Sequence, residues 1–226
     1  MFQTIVKIFL LVIITAAITP FIRKLAFVLG AVDNPNARRI NKKPMPTIGG
    51  LAIFVAFNIG EFVLLRKDFP THELFSVLLA SSVIILTGLI DDILELKPRQ
   101  KMFGIFVASL VVYFLAGIKV RELSLPFLGH IQLGWWSFPL TIFWILALTN
   151  AVNLIDGLDG LATGVTLISL VTMGIVGFFF LKSWQHYVPI MCIMLAACLL
   201  GFLPYNFHPA KIFLGDTGAL YIGFMI

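Results

Sequence analysis

Four amide and carboxyl side chains recur every three residues between two long apolar runs of the chain. They are Asn150, Asn153, Asp156 and Asp159. In a helix this spacing places all four side chains on one face. Carboxylates at the end of a membrane span cost free energy unless they meet water, a cation or a polar partner. The stretch therefore predicts one wall of a polar site at a membrane boundary. The structural alternative is a turn between two spans, in which an Asp caps the following helix.

Two further acidic positions could take part in the same chemistry. Asp91 and Asp92 are adjacent, so a cation or a solvated polar pocket is needed to keep both carboxylates ionised. Asp216 stands between Gly215 and Thr217 at the start of the last apolar run. Asp carboxylates together with substrate phosphates are the usual ligands of Mg2+, so we expect divalent-cation and phosphate chemistry. An acidic helix end at Asp91 and a helix cap at Asp216 are the alternatives.

Basic residues accompany these acids in the neighbouring polar loops. The loop 30–50 contains four of them, Arg38, Arg39, Lys42 and Lys43. Cations and backbone amides beside glycine bind polyanions, so we expect a phosphate or headgroup clamp there, with a solvated loop as the alternative. His208, which lies close to Asp216 in sequence, is either a metal-ligand candidate or an ordinary loop residue.

The composition is that of a membrane protein. Of the 226 residues 60% are hydrophobic, only 12% are charged and 22 are Phe, and the mean hydropathy is +1.03. Soluble globular domains are far less apolar. The formal charge of +5 is therefore an orientation signal, and no nucleic-acid partner is expected. Cys192 and Cys198 lie in an apolar run, which predicts small core residues and neither a disulfide nor a metal pair.

The apolar runs predict an all-α polytopic membrane protein with a single integral membrane domain over residues 1–226. A span needs about 17–25 mainly apolar residues, which gives eight candidates: Thr4–Ile22, Ile48–Leu65, Leu74–Ile90, Met102–Ile118, Trp136–Thr149, Gly160–Leu181, Val188–Leu203 and Ala219 to Ile226. We expect the short fifth candidate to continue into the Asn150 stretch. The eighth is too short to span, so we expect a chain cut within a helix, the N-terminal part of a longer fold. The outward loop 119–135 alternates weakly, which suggests a short hairpin.

The charges of the loops predict the orientation in the membrane. When the loops between the eight candidate spans are numbered in chain order, the odd-numbered loops carry ten Lys and Arg residues and the even-numbered loops carry five. Positively charged loops stay in the cytoplasm, so we expect the odd-numbered loops to be cytoplasmic and the N-terminus to be outside. One shared site on the cytoplasmic face is then the simplest explanation for the seven acids placed there, which are Asp33, Asp91, Asp92, Glu95, Asp156, Asp159 and Asp216.

Three motifs together resemble one known family. They are Asp91-Asp92, the run Asn-x-x-Asn-x-x-Asp-Gly-x-Asp-Gly over residues 150–160, and Phe213-x-Gly-Asp-Thr-Gly. Their order and placement resemble the polyprenyl-phosphate N-acetylhexosamine-1-phosphate transferases of glycosyltransferase family 4. The second and third motifs look more like the bacterial UDP-N-acetylglucosamine enzymes, with the phospho-N-acetylmuramoyl-pentapeptide transferases as the alternative. The resemblance implies that the family fold continues past this chain with more spans and a His-rich cytoplasmic loop.

The resemblance implies an Mg2+-dependent transfer of a sugar-1-phosphate, with Mn2+ as a substitute metal. The donor would be a UDP-N-acetylhexosamine, UDP-N-acetylglucosamine before others, and the acceptor undecaprenyl phosphate in the bacterial inner membrane. The products would be undecaprenyl-diphospho-sugar and UMP, at the first membrane step of a cell-envelope polysaccharide pathway. Asp216 would be the metal ligand, and Asp91, Asp92 and Asp159 the catalytic acids. The implied substrate-binding residues are Lys42, Thr47, Lys101, Asn150, Asn153, Asp156 and Phe213.

Phosphate chemistry favours a one-step transfer. A phosphate monoester has a second pKa of about 6, so the acceptor is mostly dianionic at neutral pH and needs little help from a base. Asp91 or Asp92 would then orient the acceptor, and a covalent aspartyl-phosphate is the alternative. A secondary transporter is a hypothesis of another class, but transporter sites lie near the bilayer midplane and the acids here map to one face. A homodimer is a further candidate arrangement.

Overall fold

The computed structural model describes residues 2–35, 43–64, 66, 71–125, 129–181 and 187–226. Lys42 lies outside these ranges, so its assignment to the substrate pocket stays a prediction from sequence.

Eight α-helices and two short hairpins form the described chain. The helices are α1 (Phe2–Leu29), α2 (Gly49–Ile59), α3 (Thr71–Leu94), α4 (Pro98–Val111), α5 (Ser137–Ile155), α6 (Leu161–Phe180), α7 (Tyr187–Asn206) and α8 (Gly215–Met225). The strands are β1 (Val32–Asp33), β2 (Met45–Pro46), β3 (Glu122–Leu125) and β4 (Gly129–Gln132). One π-helical turn extends α2 over Gly60–Leu64, and another extends α4 over Val112–Ala116.

Length and polarity support the predicted membrane fold. Within the described ranges six helices, α1 and α3 to α7, are long and apolar enough to cross a membrane, while α2 and α8 are shorter. Large apolar side chains point outward, such as Val28 and Phe180, whose exposed fractions are 81% and 82%. An apolar exterior suits lipid, where helices satisfy their own backbone hydrogen bonds. The all-α polytopic membrane fold predicted from the sequence is therefore confirmed.

Two helices continue beyond the apolar runs of the sequence, one of them against the prediction and the other as predicted. Helix α3 continues to Leu94 and ends just before Glu95, whose φ is +50°. Asp91 and Asp92 therefore lie in the last turns of a helix and not in the following loop, because no Gly or Pro stands between Ile90 and Glu95. Helix α5 continues past Thr149 to Ile155, as its short apolar run suggested.

Both hairpins are antiparallel. Strands β3 and β4 pair Glu122 with Gln132 and Leu125 with Gly129, which confirms the hairpin predicted in the loop after α4. Strands β1 and β2 pair in the connection between α1 and α2, and this second hairpin was not predicted. It brings the chain back to the start of α2 beside the α7–α8 connection, where the Gly49 and Gly50 amides donate to the Phe213 and Leu214 carbonyls.

Helix α8 lies at the centre of the bundle. It packs against α2, α3 and α5, and every residue from Thr217 to Gly223 is buried. Contact with α2 is backbone to backbone, because a Cβ on Gly50 would collide with Gly218. The first turn of α8 therefore meets the first turn of α2, the last turns of α3 and α5, and the first turn of α4. The described parts of the α1–α2, α3–α4, α5–α6 and α7–α8 connections thus meet at one end of the bundle, while β3 and β4 lie at the other.

We predict that Gly50→Ala destabilises the protein. The added methyl group would have to push the α2 and α8 backbones apart, and overpacking of this kind costs about 1–3 kcal/mol. Gly164→Ala is the matched control, because a Cβ there meets no heavy atom within 4 Å and Ala favours a helix over Gly by up to about 1 kcal/mol. Thermal unfolding of the purified protein in detergent should show a lower midpoint for Gly50→Ala alone. Equal midpoints for the two variants would contradict the close α2–α8 packing.

Candidate active site

A lysine joins two of the predicted acids at the shared end of the bundle. Lys101, in the first turn of α4, places its Nζ 2.5 Å from Asp91 Oδ2 and 2.7 Å from Asp216 Oδ1. Asp91 comes from α3 and is 6% exposed, whereas Asp216 comes from α8 and is 31% exposed. Helices α3 and α4, which are neighbours in sequence, therefore meet the distant helix α8 through one ammonium group. Since the pairs are partly shielded from water, their Coulomb attraction is stronger than in exposed ion pairs, but the cost of desolvating the charges opposes it.

Two asparagines of α5 complete this side of the cluster. The Asn153 amide donates to the same Asp216 Oδ1 at 2.5 Å. One turn earlier, the Asn150 amide donates to the Leu146 carbonyl at 2.7 Å and lies 3.1 Å from the sulfur of Met102, the residue after Lys101. Among the described residues, every hydrogen bond to the Asp216 carboxylate thus goes to Oδ1. The second oxygen, Oδ2, is left for another ligand.

Asp92 has a different role from its neighbour. Its Oδ1 accepts the Asp216 backbone N–H at 3.0 Å, and its Oδ2 accepts the Thr217 N–H at 2.9 Å and the Thr217 hydroxyl at 2.5 Å. These are orphan donors of the first turn of α8, which has no side-chain cap of its own. A carboxylate of α3 therefore caps α8, and both its oxygens are used. Asp216, the cap candidate of the sequence analysis, faces Lys101 and Asn153 instead.

Thr47 and Phe213 lie in the two backbone segments beside the cluster, and hydrogen bonds to backbone carbonyls hold both residues in place. The Thr47 hydroxyl donates to the Ala31 carbonyl at 3.1 Å, and the Phe213 N–H donates to the Pro46 carbonyl at 2.9 Å. The Thr47 carbonyl lies against Gly215, where any Cβ would collide with it. Because Gly215 also has a φ of +71°, only glycine suits this entry into α8.

Asp156 lies at the end of α5, where the helix stops. It is half-buried, and this burial raises its pKa to about 7, with the Asp216 carboxylate contributing in the same direction. A carboxyl with that pKa carries a proton about half of the time at neutral pH. It can therefore donate a hydrogen bond to a nearby acceptor oxygen as well as accept one.

Asp159 does not share the helical face predicted for it. Helix α5 ends at Ile155 and the chain turns through Gly157 and Gly160, so the three-residue period stops at Asp156. The Asp159 carboxylate instead lies 3.0 Å from His208 Nδ1 and accepts the Ala210 N–H at 3.0 Å. It fastens the α5–α6 turn to the α7–α8 loop. The side chain of His208 is 80% exposed, and its hydrogen-bond partner is Asp159 and not Asp216.

Two residues of this region were missed by the sequence analysis. Thr217 binds Asp92 through its backbone and its hydroxyl, and Asn206 joins the Thr163 hydroxyl to the Ile212 carbonyl. Thr217 follows Asp216 directly and stands at the start of an apolar run. A backbone N–H in the first turn of a helix needs a partner from outside that helix, and this is the signal that could have found it. Asn206, 2% exposed, ends the apolar run of α7, where a buried amide needs partners.

The donor set fits a hard divalent cation. Among the described residues no group of three or more His, Cys, Asp or Glu side chains is arranged to hold a metal ion. Mg2+ does not require such a group, because it usually keeps several waters and binds one or two carboxylates together with substrate phosphates. Asp216 meets this requirement, because it is partly exposed and its Oδ2 accepts no hydrogen bond from the described residues. Asp91 lies beside it, but its Oδ1 accepts the Leu96 N–H and its Oδ2 binds Lys101.

A family comparison now bears on this cluster. The sequence model of glycosyl transferase family 4 matches residues 74–226, which hold every member of the Asp91, Asp92, Lys101, Asn153 and Asp216 set. The chain belongs to this family. The resemblance drawn from the motifs is therefore confirmed, and the family match covers α3 to α8.

Three curated relatives illustrate the range of family members similar to this chain. A probable undecaprenyl-phosphate N-acetylglucosaminyl 1-phosphate transferase of Bacillus subtilis is 40% identical over 92% of this chain and 57% of its own length. A phospho-N-acetylmuramoyl-pentapeptide-transferase of Clostridium botulinum is 36% identical over 90% and 64%. A decaprenyl-phosphate N-acetylglucosaminephosphotransferase of Mycolicibacterium smegmatis is 35% identical over 95% and 56%. The chain thus spans about three fifths of the length of these family members.

We predict that Asp92→Ala lowers stability more than loss of an ordinary helix cap, which costs about 1 kcal/mol. The change leaves two backbone donors and one hydroxyl of α8 without a partner inside the bundle, and each such group costs about 1–3 kcal/mol. Thermal unfolding in detergent is the measurement. The matched control is Glu122→Ala at the opposite end, where an exposed carboxylate accepts a hydrogen bond from Gln132 alone among the described residues. An Asp92→Ala midpoint equal to that of the control would contradict the capping role.

Proposed function

We propose that the protein transfers a sugar-1-phosphate from a UDP-sugar to undecaprenyl phosphate and releases UMP. UDP-N-acetylglucosamine is the proposed donor, and the product is a membrane-bound diphospho-sugar that begins a cell-envelope polysaccharide. The names of the relatives support the reaction class, since two of the three are named for transfer of an N-acetylglucosamine phosphate and the third for transfer of phospho-N-acetylmuramoyl-pentapeptide. The single observation that carries the proposal is the Lys101 bridge between Asp91 and Asp216.

This bridge suits phosphoryl transfer because the reaction depends on positioning and charge neutralisation. Lys101 is held by two carboxylates and remains 19% exposed, so an incoming phosphate can reach its ammonium group. In this proposal Lys101 keeps one carboxylate partner and holds a phosphate oxygen with its remaining donors. Asn153 keeps Asp216 in place throughout, since its amide already bonds Oδ1.

Asp216 would hold Mg2+ or Mn2+, with Asp91 beside it. The cation would neutralise charge on the diphosphate and so stabilise UMP as a leaving group. Asp156 would orient the donor by giving or accepting a hydrogen bond near neutral pH. Asn150, Phe213, Thr47 and Lys42 remain the proposed pocket residues for the nucleotide, and Asp159 remains a predicted catalytic acid.

The environment of Asp92 favours a one-step reaction over a covalent one. A nucleophile or base needs an accessible oxygen, whereas both Asp92 oxygens accept hydrogen bonds from α8. Asp92 would therefore act by positioning Asp216, and Asp91 or Lys101 would orient the acceptor phosphate. A phosphate monoester is largely dianionic at neutral pH, so the attack proceeds without a protein base.

Position in the membrane is part of the proposal. The cluster lies at helix ends, where a prenyl chain can stay in lipid while its phosphate meets a water-soluble donor. We propose that this end faces the cytoplasm of a bacterial inner membrane, because the odd-numbered loops carry more basic residues. A transporter is less well supported, since its site would lie near the middle of the bundle.

We predict that Asp216→Asn reduces turnover about 100-fold or more in the protein at its full natural length. The change keeps size and polarity but removes charge that a divalent cation needs, and a metal contributes several kcal/mol to the transition state. Labelled sugar-phosphate incorporated into lipid at a series of Mg2+ concentrations is the measurement. Glu122→Gln, which removes a charge at the opposite end, should keep normal turnover. Normal turnover with an unchanged Mg2+ dependence in Asp216→Asn would exclude Asp216 as the ligand.

We predict that UDP-N-acetylglucosamine is the donor used from a panel, with UMP as the released nucleotide. The panel contains UDP-N-acetylglucosamine, UDP-N-acetylgalactosamine and UDP-N-acetylmuramoyl-pentapeptide, each with undecaprenyl phosphate and Mg2+. Chromatography identifies the nucleotide released and the lipid formed. Release of UDP would indicate an ordinary glycosyltransferase and overturn the reaction class. Use of the muramoyl-pentapeptide donor alone would favour the activity named for the Clostridium botulinum relative.

A further inference from the structure

A groove separate from the Lys101 cluster runs between the C-terminal half of α1 and the end of α7. Its volume is about 400 Å³, and its lining residues are Pro20, Arg23, Lys24, Phe27, Tyr205 and Lys211. The four residues from α1 are spaced i, i+3, i+4 and i+7, so they form one stripe of that helix. Tyr205 lies in the last turn of α7, and Lys211 lies in the loop that follows.

Three of the six lining residues are cations, and the groove contains no acid. Lys211 stands near the Tyr205 ring, with its Nζ 6.0 Å from the ring centroid. Its backbone N–H donates to the Tyr205 carbonyl at 2.8 Å, which fixes the loop against α7. Across the described part of the chain, Arg23, Lys24 and Lys211 form no ion pair, in contrast to Lys101. Their positive charge is therefore available to a ligand.

The apolar half of the groove continues onto the outer surface of α1. Phe27 is 50% exposed, and the next residue, Val28, is 81% exposed. Exposed apolar side chains next to basic ones are typical of the boundary between lipid and water, where long cations reach the headgroup layer. Because α1 ends at the same end of the bundle as the Lys101 cluster, the groove lies at that membrane boundary. A ligand there would meet cations at one end and hydrocarbon contacts at the other.

We propose that this groove binds an anionic phospholipid of the surrounding bilayer. The headgroup phosphate would lie among Arg23, Lys24 and Lys211, and an acyl chain would follow Pro20 and Phe27 along α1. Basic pockets between membrane helices favour anionic headgroups in this way. The bound lipid would tie the C-terminal half of α1 to the loop that leads from α7 toward Asp216. The proposal does not rest on the proposed transferase function.

Native mass spectrometry of the purified protein in detergent tests this directly. Phosphatidylglycerol and phosphatidylcholine with identical acyl chains are titrated separately, and the affinity for phosphatidylglycerol should be about tenfold higher or more. The variant Arg23→Gln/Lys24→Gln/Lys211→Gln should lose this preference. The matched control is Lys7→Gln/Lys119→Gln/Arg121→Gln, which removes the same charge at the other end of the bundle and should keep it. Equal loss in both variants would show a general charge effect and overturn the site.

Two further arms distinguish the sources of the phosphate group. Inorganic phosphate should not displace phosphatidylglycerol, because it lacks the acyl contacts, and efficient displacement would show an anion site that needs no lipid. A long-chain prenyl phosphate should bind the groove variant and the wild-type protein equally. Selective loss of prenyl phosphate with retained phosphatidylglycerol would reassign the groove to that lipid. Crosslinking of a photoreactive phosphatidylglycerol to wild-type protein, mapped to residues 20–27 or 205–211, gives a check that needs no variant.

Discussion

The start of α8 lies inside the helix bundle, and its unpaired backbone donors constrain everything around it. A helix leaves its first four N–H groups without an internal partner. Water normally satisfies such groups, but Thr217 and Gly218 are buried among α2, α3 and α5. Asp92 supplies the acceptors from another helix. The partial positive charge of a helix start also favours carboxylates nearby, so the capping acid and Asp216 are stabilised in one place.

This cap determines the geometry of the rest of the cluster. By fixing the first turn of α8 to α3, Asp92 directs the Asp216 side chain toward α4 and α5. Lys101 can then bind Asp91 and Asp216 together, and Asn153 can hold the remaining position on Asp216 Oδ1. The adjacent acids Asp91 and Asp92 thus avoid repulsion by facing different partners. One carboxylate maintains the fold while its neighbour contributes to the candidate active site.

Much of the fold was predictable because membrane insertion leaves a strong pattern in sequence. A bilayer requires long apolar helices, so the all-α class, the eight helices and the extension of α5 to the Asn150 stretch followed from hydropathy. The hairpin after α4 followed from weak alternation. The ends of the helices were harder to predict from the sequence. Helix α3 continues through Asp91 and Asp92, because polar residues do not end a helix when neighbouring helices supply their hydrogen-bond or ionic partners. The three-residue spacing that grouped Asp159 with Asn150 was wrong in its last member, because two glycines turn the chain.

By itself the sequence determined the class of protein, the family, and the types of side chain gathered at one end, since these depend on local periodicity and on three short motifs. Tertiary structure alone decided which acid meets which partner. Asp92 and Thr217 are 125 positions apart, and Lys101 and Asp216 are 115 apart. Pairings of that kind depend on how closely α2, α3 and α5 approach α8. No local pattern encodes that approach, because it results from the backbone contact between Gly50 and Gly218 and from the burial of one helix end.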